Sequence, residues 1–212
     1  MRLFNYWRSS ASYRVRLVLA HKELAYEYVP VSLLKGEQHQ SEHRARNPWG
    51  SVPVLEIEDE GRTLVIPQSV AIAEYLEERY PQRPIFPPGR AERAQVRALA
   101  ETINSGIQPL HNLSILNHVK DVLGADQKSW AVHWIRSGLT ALEKLASRSA
   151  GRFLVGDTFT WADCCLLPQL FGARRVEVPA TDYPLLARIE ATCLALPAAQ
   201  AARPEAQPDA HP

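Results

Sequence analysis

Residues 81–90 read PQRPIFPPGR, four prolines in ten residues. Proline lacks a backbone N–H and fixes its φ angle, so neither a helix nor a central strand runs through such a stretch. The chain is thereby divided in two, and residues 81–89 read as a linker. The two sides differ in period. Before the linker, residues 3–7 form a short apolar-aromatic run suited to a strand. Residues 10–22 follow as a helix with Ala11, Val15, Val18 and Leu19 on one face and Arg14 and Lys22 off it. A second strand fits residues 26–31, and the polar segment KGEQHQSEHRARNP reads as a loop. Residues 54–57 and 63–66 pair as a hairpin turned at Gly61, and a helix over residues 69–79 closes this half. After the linker only helical periodicity appears. Val96, Leu99, Ile103 and Ile107 form one stripe, Trp130, Trp134, Ile135, Leu139, Leu142 and Leu145 a second, and Leu185, Leu186, Ile189, Cys193 and Leu196 a third. The tail ARPEAQPDAHP reads as loose. The expected architecture is an α/β domain over residues 1–80 followed by an all-α domain over residues 90–212.

Composition removes several classes of function. With 212 residues and 46% hydrophobic content the chain can bury a core without disulfides. Its 24 basic and 23 acidic residues give a net charge of +1 with no long block of one sign, which argues against nucleic acid or an anionic membrane as the partner. Arginines interrupt the first twenty residues, so no signal-peptide core is present there, and no stretch approaches a membrane span. Cys164, Cys165 and Cys193 fit neither a disulfide framework nor zinc-ligand spacing, and a reducing, cytoplasmic setting suits them.

Four short segments can carry chemistry or merely structure. Arg8-Ser9-Ser10-Ala11-Ser12 stands where the first strand meets the first helix. Free N–H groups and the dipole at a helix start favour an anion, and a thiol there loses its proton more readily. One serine suffices as an N-cap, yet three are present. In Gly50-Ser51-Val52-Pro53-Val54, the proline either is an ordinary edge-strand proline or, in cis, turns the backbone of Val52 toward a ligand. Ser69, after Pro67-Gln68, either caps its helix or receives a carboxylate beside Gln68. Thr160 and Asp163 have the spacing of a capping box, which makes Asp163 a folding residue.

His39-Gln40-Ser41-Glu42-His43 matches H-x-x-E-H, but it lies in the polar loop with no apolar helix around it, and no metal is expected. Arg8 and the pair Arg174-Arg175 could each clamp a carboxylate or simply be solvated.

Together these segments resemble the glutathione transferase superfamily and, within it, the zeta class. The resemblance runs through Ser9-Ser10-Ala11-Ser12 with Tyr13-Arg14-Val15-Arg16, Lys35-Gly36-Glu37-Gln38-His39, Asn47-Pro48-Trp49-Gly50 before Val52-Pro53, and Gln68-Ser69. It continues in Gly106-Ile107-Gln108-Pro109-Leu110-His111-Asn112, Gly156-Asp157 with Ala162-Asp163, and the closing Gln207-Pro208-Asp209. It covers nearly the whole chain in order. The resemblance implies a thioredoxin-like N-terminal domain and glutathione as cofactor. The γ-glutamyl carboxylate is then expected at Gln68 and Ser69, the cysteinyl backbone at Val52 beside Pro53, and the glycine end near His39 or Gln40. The family usually has a cysteine where this chain has Ala11, so the resemblance leaves the thiolate to Ser9 or Ser10. Arg8 and Arg175 stand where relatives place arginines for substrate carboxylates, with Arg174 the alternative to Arg175, and Gln108 and Asn112 lie on a helix expected to face the ligand. The implied reaction is cis–trans isomerisation of a dicarboxylate, maleylacetoacetate to fumarylacetoacetate in aromatic amino-acid catabolism, or of maleylpyruvate. A broader transferase or α-halo acid dehalogenase and a non-catalytic module are the other classes. A homodimer is expected by the same resemblance.

Overall fold

The structure is a computed structural model and describes residues 1–210. It forms two compact units, one built from Met1–Pro84 and the chain from Leu196 onward, the other from Ile85–Ala195. The first unit holds a four-stranded mixed sheet in the order β2-β1-β3-β4. Strand β1 (Arg2–Asn5) runs parallel to β2 (Glu27–Pro30) and antiparallel to β3 (Val54–Asp59), which pairs with β4 (Arg62–Pro67). Helix α1 (Ser10–His21) makes the crossover between the parallel strands, and α3 (Ser69–Arg79) follows β4. Leu3, Val15, Leu19, Leu55, Ile72 and Leu76 are wholly buried in this unit.

Three of its features differ from the sequence reading. Arg14, expected off the apolar face of α1, is buried together with Arg16 and Lys22. Helix α1 is covered on more than one side, and its cations are taken up by partners instead of water. Lys22 pairs with Glu77 at 2.7 Å and donates to the carbonyls of Tyr80 (2.8 Å) and Gln82 (3.3 Å) beyond the end of α3. The polar loop contains a 3₁₀ turn, Glu37–His39, and a short helix α2 (Ser41–Arg46). Such a helix has too few apolar residues for a periodic signal; it is anchored by buried His43, whose Nε2 lies 3.0 Å from the Ser51 carbonyl. The tail is not loose through residue 210; the last two residues of that segment lie outside the described residues. Helix α9 (Pro197–Ala202) and the turn Pro204–Ala206 join the first unit, so the all-α stretch ends as a unit at Ala195 and not at the C-terminus. The Arg16 Nε donates to the Ala202 carbonyl at 3.1 Å, giving the returning chain a buried polar partner.

The second unit contains α4 (Arg90–Glu101), α5 (Leu113–Asp121), α6 (Gln127–Ala146), α7 (Trp161–Arg174) and α8 (Pro184–Leu194). The stripe of Val96, Leu99, Ile103 and Ile107 is buried, as are Ile135, Leu139 and Leu142 of α6, whereas Leu145 ends its stripe partly exposed. Helix α7 is buried along most of its length. Its capping box is formed as expected: Asp163 Oδ2 accepts from the Thr160 N–H and hydroxyl, both at 2.8 Å. Among the described residues no helix is long and apolar enough to cross a membrane.

Candidate active site

The β1–α1 turn is set by backbone first. The Ser9 N–H donates to the Tyr6 carbonyl at 3.0 Å, closing a four-residue turn that delivers the chain into α1. Ser9 is the N-cap, and its hydroxyl oxygen accepts from the Ser12 N–H at 3.2 Å. Buried Ser12 in turn accepts from the Tyr6 N–H at 3.4 Å. Two of the three hydroxyl oxygens therefore serve the fold. The Ser9 hydroxyl keeps its proton to donate, while the Ser10 hydroxyl makes no hydrogen bond among the described residues. The N–H groups of Ser10 and Ala11 likewise have no backbone acceptor among those residues. They point where the helix dipole favours negative charge. Beside them the Arg8 guanidinium lies 5.2 Å from the Trp7 ring centre, and its buried Nε has no hydrogen-bond partner among the described residues.

The Val52-Pro53 peptide bond is cis. The Val52 side chain packs in a cluster with Phe4, Tyr6, Val31 and Val54, against which Trp7 also lies, so this loop touches the serine turn. Its N–H and C=O have no hydrogen bond among the described residues, an arrangement that a ligand backbone can complete. At the start of α3 the N-cap is Gln68, not Ser69, and it makes no side-chain capping bond. The capping role considered for Ser69 is thus overturned. Gln68 has φ 75° and ψ 123°, a conformation that a residue with a Cβ adopts only under constraint, at a cost of about 1–3 kcal/mol. Buried Ser69 occupies the first turn, and Arg14 Nη1 on α1 reaches its hydroxyl at 3.4 Å. The serine turn, Val52 and Ser69 are thereby joined through α1 and one apolar cluster.

His39 ends its 3₁₀ turn with Nδ1 3.3 Å from Arg44 and Nε2 3.1 Å from Gln38, and Gln40 is exposed at the start of α2. Gly50, at φ 68°, keeps this turn close, since a Cβ there would lie 3.2 Å from His39 Nδ1. His39 and His43 sit on different elements, so the H-x-x-E-H spacing is not one helical face.

In the helical unit, Gln108 and Asn112 are not on a long helix. Thr102–Ile107 is a π-helical segment, Gln108–His111 a 3₁₀ turn, and Asn112 the N-cap of α5. Pro109 removes an N–H and prevents continuation as α-helix. The Gln108 amide donates to Asn112 Oδ1, and His111 Nε2 lies 3.2 Å from Oε1 of buried Gln169. Arg174 is engaged by Glu190 at 2.6 Å, while Arg175 is the C-cap of α7. Sequence reasoning quoted Arg16 and Asp209 only within the resemblance and gave neither a role; in the structure both hold the backbone of Trp7, which leads into the serine turn. An arginine on a buried helix face was a readable signal; an aspartate in a proline-rich tail was not.

A mixed sheet of order β2-β1-β3-β4, an anion-ready β1–α1 turn, a cis-proline ahead of β3 and a distorted start to α3 define a thioredoxin-like domain suited to an anionic thiol peptide. The chain belongs to the glutathione S-transferase family: the model of the N-terminal domain of that family matches residues 1–78, and that of its C-terminal domain matches residues 134–190. It is 49% identical to probable maleylacetoacetate isomerase 2 of Drosophila melanogaster, over 99% of this chain and 90% of the relative. It is 44% identical to mouse maleylacetoacetate isomerase, over 98% of this chain and 94% of the relative. A crystal structure of maleylacetoacetate isomerase from Anaeromyxobacter dehalogenans with glutathione bound in the active site matches with a TM-score of 0.92 at 50% identity, covering 99% of this chain and 97% of the other. A holo structure of a zeta-class bacterial maleylpyruvate isomerase matches with a TM-score of 0.94 at 41% identity over both whole chains.

Proposed function

We propose that this chain is a zeta-class, glutathione-dependent cis–trans isomerase that converts maleylacetoacetate to fumarylacetoacetate. The observation that carries the reading is the serine turn, with one capped hydroxyl still able to donate and two free N–H groups on a helix start, in a chain half identical to an isomerase that holds glutathione. The donor set suits an anionic tripeptide: unfilled N–H groups at two helix starts, Ser69, and the open backbone of Val52. Bound glutathione supplies a thiolate that adds to the cis double bond, permits rotation, and leaves to give the trans isomer.

The residues of this chain do the rest. We assign Ser9 as the thiolate donor, because the Ser12 N–H fixes its oxygen and orients the remaining proton; Ser10 is the alternative. Gln68 and Ser69 hold the γ-glutamyl carboxylate, Val52 beside Pro53 pairs with the cysteinyl backbone, and His39 or Gln40 receives the glycine end. Negative charge grows on the substrate carbonyl during addition, and fixed cations lower that barrier more than they stabilise the ground state. The family likeness assigns this role to Arg8 and to Arg175, with Arg174 the alternative to Arg175, and assigns Gln108 and Asn112 polar contacts to the dicarboxylate. The reading includes a cytoplasmic homodimer. Maleylpyruvate is the second candidate substrate, favoured by the likeness to the zeta-class maleylpyruvate isomerase. Ser9→Ala should lower glutathione-dependent turnover by about two orders of magnitude. Unchanged turnover in Ser9→Ala with loss in Ser10→Ala moves the role to Ser10, and full activity in both contradicts the mechanism.

A further inference from the structure

The residues that lead into the serine turn are held by a set of polar contacts that the isomerisation itself does not use. Arg16 is 1% exposed, yet nearly all of its donors are placed: Nε on the Ala202 carbonyl at 3.1 Å, Nη1 on Asn5 Oδ1 at 3.0 Å and on the Tyr6 carbonyl at 3.4 Å, and Nη2 on the Trp7 carbonyl at 2.9 Å. Asp209, in the returning C-terminal segment, accepts from the Trp7 N–H at 3.2 Å and from the Tyr28 hydroxyl on β2. The two backbone groups of Trp7 are therefore held from opposite charges, one by Arg16 and one by Asp209. Tyr6, whose carbonyl Arg16 also holds, is the residue to which Ser9 closes its turn. Burial lowers the pKa of Arg16, while Tyr28, Tyr26, Tyr13 and Asp209 act to raise it. A buried cation with this many carbonyl partners is costly unless each is kept, which makes the arrangement geometrically strict.

We propose that Arg16 and Asp209 are positioning residues for the thiolate site: together they lock Trp7 so that the Ser9 hydroxyl and the first N–H groups of α1 aim at the glutathione sulfur. The C-terminal segment is thus part of the active-site frame, linked to Trp7 directly by the Asp209 carboxylate and through Arg16 by the Ala202 carbonyl. This inference rests on the glutathione reading given above. A sulfur held by a hydroxyl and two N–H groups is sensitive to small displacements, because charge-assisted hydrogen bonds weaken steeply with distance and angle.

The test uses the full chain with two probes, glutathione and S-methylglutathione, which occupies the same site without a thiolate. The pKa of the bound thiol is read from thiolate absorbance against pH. Asp209→Ala should raise it by about one unit and lower kcat about tenfold. Its affinity for S-methylglutathione should stay within about twofold of wild type. Asp209→Asn, whose amide oxygen still accepts from the Trp7 N–H, should recover most of the shift. Tyr28→Phe, which removes one contact of the carboxylate and is the milder change should Asp209→Ala fold poorly, should move the thiol in the same direction by less. An unchanged thiol pKa in Asp209→Ala and Tyr28→Phe, or an equal loss of affinity for both probes, overturns the inference. If the wild-type protein itself does not lower the thiol pKa of bound glutathione, the glutathione reading falls and takes this inference with it.

Discussion

Asparagine in place of Asp163 should destabilise the helical unit by an amount that grows as the solution is acidified. The wild-type carboxylate is fully buried; Oδ1 accepts from the Leu154 N–H at 2.9 Å and Oδ2 from the Thr160 N–H and hydroxyl. Asparagine offers a single acceptor oxygen, so one buried N–H is stranded, at a cost of about 1–3 kcal/mol. Burial also pushes the Asp163 carboxyl up to about 6 from an ordinary 3.8, against the pull of those hydrogen bonds. A folded-state pKa above the unfolded value means that the native state binds the proton more tightly. The associated stability is complete below the unfolded value and is lost as pH rises through the folded one. A shift of this size corresponds to about 3 kcal/mol, of which about 2 kcal/mol has returned by pH 4.5. The asparagine side chain cannot titrate, so the stability gap between wild type and Asp163→Asn should widen by that amount between pH 7 and pH 4.5. Urea unfolding followed by helical circular dichroism at both pH values measures it. A gap that is the same at the two pH values, or below about 0.5 kcal/mol at pH 7, refutes the reasoning.

Two further outcomes follow from single contacts. Lys22→Met removes the buried cation that Glu77 and the carbonyls of Tyr80 and Gln82 share, and should cost about 3–5 kcal/mol in the same unfolding assay; a loss under about 1 kcal/mol means that the pair is not a true buried link. Arg175→Ala should raise the Michaelis constant for the dicarboxylate about tenfold while sparing glutathione affinity; equal losses for the two ligands rule out a substrate-specific clamp.

The parts of the fold that were legible in the sequence are those with a repeated physical signal. Helix α3 was readable to its ends from its apolar spacing, and the Thr160–Asp163 box from two residues three apart. The serine turn was legible as an anion-ready helix start, but which hydroxyl caps it depends on a hydrogen bond that spacing alone does not specify. Ser69 was read as a possible cap, but the backbone turns at Gln68, φ 75°, which takes the N-cap position and leaves Ser69 in the first turn, a distortion that spacing does not show. Helix α2 escaped notice because its short run, polar but for Ala45, carries no period, and the π-helical segment because its turn is wider than the template. Most opaque was the C-terminal segment: Asp209 becomes meaningful only once the chain returns to β1, a contact across 202 positions.

The most direct test of the central claim is to follow loss of maleylacetoacetate and of maleylpyruvate in parallel, with and without glutathione, using the purified chain. The account predicts turnover that vanishes when glutathione is omitted, faster with maleylacetoacetate, and the ratio of the two rates ranks the substrates. Turnover that persists without glutathione, or no turnover of either compound in its presence, contradicts it.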